Sequence, residues 1–280
     1  MNVFRVVLLG LALACPLLAV AASARAETEV TLGIVLGKTS HFGVSAAVLA
    51  EEVAKRTEGR YRIEIFADGV LGGEREMVVG AQLGTVDMVI VSTGPVGSFV
   101  PATLITDIPF LFKDYAHARA ALDGPIGQEI LAEFPKHGLI ALAWGENGFR
   151  HITTSSRPVS KPEDLAGLRL RTMQNSVHMQ AFATLGAKPM PMPTPNVYAA
   201  LRSHIVDGEE NPLPVILDLK FAEVQKYLSL TGHVYSPALT LVSPRLWQTL
   251  DEADRARFTE AAKVAAAAMR DAVDRQEKDG

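Results

Sequence analysis

Apolar and polar positions along the chain predict short strands alternating with amphipathic helices. Residues 29–36 (EVTLGIVL) and 60–66 (RYRIEIF) read as strands; the second alternates apolar and polar residues, the period of a half-buried strand. Between them, residues 40–57 carry the helical period, with Ser40 placed as N-cap and Gly59 just past the end. Residues 74–83 are again helical and 86–91 (VDMVIV) form an apolar strand. The resulting β-α-β-α-β order is that of a parallel sheet flanked by helices. Helices over 115–122 and 125–137, the second with Pro125 in its first turn, lead to an apolar strand over 138–144 (GLIALAW).

After SSRPVSKPEDLAG the syntax restarts. A strand over 167–171 precedes a helix over 176–185 that Gly186 ends. KPMPM is an extended segment, residues 195–203 form a helix with Thr194 as N-cap, and IVDGEEN is a strand running into a turn. LGTVDMV (83–89) and LRSHIVDGE (201–209) each close a helix and open a strand through Val-Asp. This predicts two α/β lobes of similar build, with no short-period repeat. The apolar segment 226–243 reads as a strand crossing between the lobes, and helices run from 244 to about 278.

Composition narrows the picture without changing it. The 280 residues are 48% hydrophobic and 21% charged, with net charge −4. This is globular composition with room for two modest domains, and it lacks the clustered basic excess of a nucleic-acid binder. Residues 1–26 read as a secretory signal peptide cleaved after Ala26: Arg5, an apolar run over 6–20, then Ala24-Arg25-Ala26. The run is shorter than the ~20 residues of a membrane span. Cys15, the only cysteine, lies within that leader, so the exported chain would have neither disulfide nor thiolate metal site. This suits a bacterial periplasm.

The motifs of the common enzyme classes are missing: no HExxH, phosphate loop, CxxC, GxSxG or GxGxxG occurs. The seven histidines show no metal-ligand spacing. Glu209 and Glu210 are strand neighbours and point to opposite faces, a poor acid/base pair. His151, beside Arg150, has no evident nucleophile. What remains is polar groups at strand ends, where open α/β sheets bind ligands. DLAGLRLRTMQNS places Arg169 and Arg171 on the polar face of one strand. Arg150 and the turn Glu210-Asn211 add to the set. A guanidinium makes two parallel hydrogen bonds to a carboxylate, a fork that Lys lacks. Spacing alone leaves Arg169 and Arg171 equivalent, and Asn211 is equally suited to cap a following helix.

Three stretches carry a resemblance: ENGFRHITTSSRPVSKPEDLAGLRLRT, LGAKPMPMPTPNVYAALRSHIVDGEENPL and EVQKYLSLTGHVYSPALTLVS. Together with LGGEREMVVGAQLGTVDM and DIPFLFKDYAHARAALDGPIGQE, they resemble the DctP-type substrate-binding proteins of TRAP (tripartite ATP-independent periplasmic) transporters. The resemblance implies a two-lobed periplasmic binding protein with hinge-crossing strands and a long C-terminal helix, no cofactor or metal, and no enzymatic activity. It implies a monomer that closes on a small organic acid anion, C4-dicarboxylate-like or else a sugar acid or other monocarboxylate, and delivers it to the membrane permease subunits. Lobe I would comprise residues 27–147 plus about 237–272, and lobe II residues 148–236. By position in the family motifs, Arg171 would clamp the carboxylate, with Arg150 beside it and Asn211 and Glu210 at the adjoining turn. Thr39, His41, Ser92 and Thr93 would line the first-lobe wall, and Thr194 the second. Two departures, Asn196 for an acidic residue and Thr194 for an aromatic, imply a ligand preference of its own. The chain stops at Gly280, before the resemblance would, and reads as a C-terminally short family member.

Overall fold

The computed structural model describes residues 27–279; the expected leader and its cleavage site lie outside them. In chain order the elements are β1 (Thr28–Gly33), α1 (His41–Arg56), β2 (Tyr61–Phe66), α2 (Glu74–Leu83), β3 (Met88–Ser92) and the single turn α3 (Thr93–Val96). A 3-10 segment, Pro101–Asp107, leads to α4 (Tyr115–Asp123), α5 (Pro125–Glu133) and the long strand β4 (Ile140–Thr154). Then come β5 (Arg169–Thr172), α6 (Ser176–Thr184), β6 (Lys188–Pro191), α7 (Val197–Arg202), β7 (Gly208–Pro212) and α8 (Leu213–Asp218). The second long strand, β8 (Tyr227–Val242), precedes α9 (Pro244–Thr249) and α10 (Glu252–Asp279).

All eight strands join one sheet in the order β2-β1-β3-β8-β4-β7-β5-β6. The outer strands of each half pair in parallel, β2-β1-β3 on one side and β7-β5-β6 on the other. Between them β4 and β8 run antiparallel to each other along almost their whole length. This is the two-lobed α/β fold with crossing strands. The first half is cored by one large cluster that includes Leu32, Leu49, Met77, Ile90 and Leu239, covered on one side by α1 and α10. The second half has two smaller clusters, one around Leu168, Leu170 and Phe182, the other around Val197, Leu201 and Phe221.

Local sequence accounts for most boundaries. The Ser40 hydroxyl accepts from the Gly43 amide and starts α1, and Asn175 does the same for α6 through the His178 amide. Two expectations need correction. The strand expected over 138–144 continues to Thr154, because GENGFRHITT keeps pairing with β8 and β7 despite its polar residues. Register shifts beside Gly148 and Arg150 absorb the irregularity. Thr194 is not a helix N-cap: it begins a 3-10 turn, Thr194–Asn196, and α7 starts only at Val197. Gly148 sits at φ +120°, where a side chain would also press on Pro212 and the Tyr115 hydroxyl, so the bend in β4 requires glycine.

Candidate functional site

The bend in β4 brings its polar stretch against the strand ends of both halves. Arg150 is fully buried and faces Glu210, which is also fully buried. The Arg150 Nε donates to Glu210 Oε2, and Nη2 donates to Glu210 Oε1 at 2.9 Å and to Asn211 Oδ1 at 3.2 Å. Nη1 has no partner among the described residues. Glu210 also lies 3.2 Å from His233 Nε2. Burial works against its charge, but Arg150, His233 and His178 hold the carboxyl far below its ordinary range. Its neighbour Glu209 faces the other way, accepting from Thr153 Oγ1 and Asn211 Nδ2, each at 2.6 Å. There burial prevails and pushes the carboxyl up to about 7. Both ends of the Asn211 amide are therefore engaged with side chains, and Pro212 occupies the N-cap position of α8. The capping role is excluded.

Arg169 and Arg171, equivalent by spacing, are separated by their surroundings. Arg169 is partly exposed and pairs with Asp207, Nη2 to Oδ1 at 2.6 Å. Arg171 is 2% exposed. Its Nε and Nη2 both donate to the Met192 carbonyl, at 3.0 and 2.7 Å. No carboxylate among the described residues pairs with it directly. Burial pulls its guanidinium down to about 10, although Glu210, Glu209 and Glu74 oppose the shift. A buried cation served by one carbonyl is costly, and a carboxylate would relieve it.

A small cavity is lined by Glu74, Ser92, Asn147, Met173, Thr194 and Asn211, with Val35, Leu36, Phe42 and Val215 as its apolar side; Arg150, Arg171 and Glu210 are not among its lining residues. Of the residues singled out in the sequence, Ser92, Thr194 and Asn211 lie on this wall. His41 is buried one step behind it, its Nε2 2.8 Å from Asn147 Oδ1, and burial lowers the imidazole to about 4. Thr93 is buried but turns to Asp107, Oγ1 to Oδ1 at 3.1 Å. Thr39 is exposed and outside the lining. Two contributors escaped the sequence reading. Glu74, the first residue of α2, is buried, and burial raises its carboxyl despite the Ser92 amide and both arginines. Asn147 is three residues before Arg150 on the polar stretch of β4. Glu74 is readable as a helix-start acid following a strand and a Gly-Gly turn; Asn147 gives no such signal in a strand read as ending at 144.

The halves also meet above the cavity. Asn175 at the start of α6 donates through Nδ2 to Gly94 O and to Asp107 Oδ2, both at 3.0 Å. Met173 packs so closely on Gly94 that an added Cβ there would lie 2.4 Å from its methyl. A larger groove, lined by Phe110, Ile152, Val159, Leu165, Phe182 and Leu185 among others, is predominantly apolar.

The chain matches the model of the bacterial extracellular solute-binding proteins, family 7 (DctP), over residues 32–279. It is 49% identical over 259 residues to a solute-binding protein of Verminephrobacter eiseniae, covering 92% of this chain and 77% of that one. A TRAP periplasmic solute-binding protein from Polaromonas sp. JS666, bound to D-erythronate, superposes with a TM-score of 0.90 at 52% identity, covering 91% of this chain and 84% of the other. One from Sulfurospirillum deleyianum with bound succinate gives 0.86 at 31% identity, covering 91% and 82%.

Proposed function

The chain belongs to the DctP family of TRAP solute-binding proteins, and we propose that its ligand is a small hydroxylated monocarboxylate of the four-carbon sugar-acid type. The observation that carries this reading is a buried carboxylate on the cavity wall with two buried guanidinium groups near enough to act on its charge. Arg171 is a buried guanidinium without a carboxylate partner of its own, and Glu74 is a buried carboxylate on the cavity wall within its electrostatic reach. Arg171, with the unpartnered Arg150 Nη1, would receive the ligand carboxylate. A second carboxylate would then meet Glu74, and like charges in a dry site are costly. A hydroxyl instead donates to Glu74 and accepts from Ser92 or Asn211. The D-erythronate bound by the Polaromonas protein has this chemistry. The succinate of the Sulfurospirillum protein is the competing C4-dicarboxylate reading.

The protein would act in the periplasm after cleavage behind Ala26, as the solute-binding subunit that hands its anion to the membrane permease subunits. Among the described residues, no helix is long and apolar enough to cross a membrane. Lobe I would comprise 27–147 with about 237–272 and lobe II 148–236, boundaries that fall inside β4 and β8, so both long strands would flex when the lobes close. Calorimetry with D-erythronate and succinate tests the ligand class. Tighter binding of D-erythronate is expected; succinate binding more tightly than the hydroxylated acid would overturn it.

A further inference from the structure

The rim of the cleft brings together loops of both halves. Gly37, in the loop before α1, donates its amide to Asp218 Oδ2 at 3.1 Å, and Asp218 is the last residue of α8. A Cβ added at Gly37 would lie 3.1 Å from Asp218 Oδ1 and 3.5 Å from Asp68 Oδ1, so the two carboxylates stand around the same point. Asp68 belongs to the loop after β2, which is pinned to the first half. Its amide donates to Leu36 O at 3.0 Å, and that of Gly69 to Ile34 O at 3.2 Å. Beside them Pro195 and Pro193 close on Gly69 and Gly73, where an added Cβ would lie 2.9 Å from each ring. While that packing persists, the two carboxylates cannot draw apart.

Asp218 is poorly placed for a charge. It ends a helix, where the exposed carbonyls are the negative pole, and it faces a like charge from the other half. Burial, and after it Asp68, raise its carboxyl above the ordinary range, although the Gly37 amide opposes the shift. The other charged groups nearby give no relief. Lys38 and Lys220, on the flanking loops, are exposed and pair with neither carboxylate among the described residues. Glu223 accepts from Tyr198 Oη at 2.7 Å. The faces of β4 and α10 against α8 bring no further charge to bear on Asp218.

We propose that Asp218, opposed by Asp68, makes the rim proton-sensitive: closing of the cleft takes up a proton there, so ligand affinity rises as pH falls. The proposal rests on the reading of two lobes that close on an anion, and it holds whichever acid is bound. In the open form the halves part, the carboxylates return to water and Asp218 titrates in the ordinary range. A carboxyl that is raised on closing binds protons that the open form does not. Closure is therefore favoured at low pH, and that advantage is lost as pH rises through the raised value. Protonated Asp218 still accepts from Gly37, so the latch survives while the repulsion goes.

Calorimetry with D-erythronate and with succinate, at about pH 5 and about pH 7.5, tests the linkage. Wild type should bind more tightly at the lower pH. Asp218→Asn keeps an acceptor for Gly37 without the charge. It should bind about threefold or more tighter than wild type at the higher pH, with the gain shrinking at the lower one. Asp68→Asn should act in the same direction and by less. Glu74 and Glu209 also carry raised carboxyls, but their share is common to all three proteins and cancels in the comparison. A gain that is equal at both pH values, or weaker binding by Asp218→Asn throughout, makes Asp218 a plain latch and overturns the proposal. Each comparison uses one acid, so a wild-type preference for succinate overturns the ligand class and leaves the rim to be decided by the succinate data. If neither acid binds, small-angle scattering of the free protein decides. Its radius of gyration should be smaller at the lower pH in wild type and independent of pH in Asp218→Asn; the same behaviour in both proteins overturns the proposal.

Discussion

Replacing Arg171 should separate binding from folding. Its guanidinium is buried, donates twice to one carbonyl and has been pulled down to about 10 by burial. At 1.36 kcal/mol per unit of pKa, the charged form bears a cost of about 3 kcal/mol in this environment. That cost is what a ligand carboxylate relieves. Truncating one partner of a buried charge pair typically loses about 2–5 kcal/mol of affinity, or roughly 30-fold to several thousand-fold in Kd. Arg171→Met fills much of the same space without the charge. It should bind D-erythronate at least about 30-fold more weakly by calorimetry, while its urea midpoint without added ligand stays level or rises, since the relieved cost offsets the lost carbonyl contacts. Arg171→Lys should recover little affinity, because an ammonium cannot make the two-pronged contact. A variant with unchanged affinity and a stability loss above about 2 kcal/mol, more than a net hydrogen bond supplies, would refute the reasoning and make Arg171 a structural residue.

Asn211→Asp should bind much more weakly, because it puts a negative charge on the cavity wall against the bound anion; calorimetric affinity equal to wild type would remove Asn211 from the site. Asn175→Asp keeps an N-cap for α6 but sets a charge against Asp107, whose Oδ2 now accepts from Asn175 at 3.0 Å. It should favour an open form, seen as a larger radius of gyration by small-angle scattering at saturating ligand, and an unchanged curve refutes the contact as a closure latch. His41 is lowered to about 4 in the folded chain against 6.5 unfolded, so its stabilising contribution is complete above pH 6.5 and is lost as pH falls towards 4. That is about 3 kcal/mol. Urea titrations at about pH 7 and pH 4.5 should therefore show a smaller acid loss in His41→Phe than in wild type; parallel losses would mean that His41 is not held neutral by the fold.

The sequence by itself determined what depends on neighbours along the chain. Strand and helix periods predicted both α/β halves, and their order matches β1 to β3 and β5 to β7. Ser40 was read as a cap because capping acts over three residues. The motifs around Arg150, Arg171 and Glu210-Asn211 marked the family and the second-lobe half of the site. Tertiary structure alone decided what depends on burial and on partners far away in sequence. Arg169 and Arg171 have the same residue type and the same strand face; only Asp207, 38 residues on, answers one and leaves the other unpaired. Glu210 reads as an exposed turn residue until Arg150, 60 positions away, closes on it. The polar residues in GENGFRHITT read as a loop in sequence, and they are strand only because β7 and β8 pair with them from either side. Asn147 belongs to the cavity because that strand persists, and because His41, 106 residues earlier, meets its side chain. Charge pairing and desolvation are properties of the assembled cleft, and no local pattern encodes which of two equal guanidinium groups the fold will leave for a ligand.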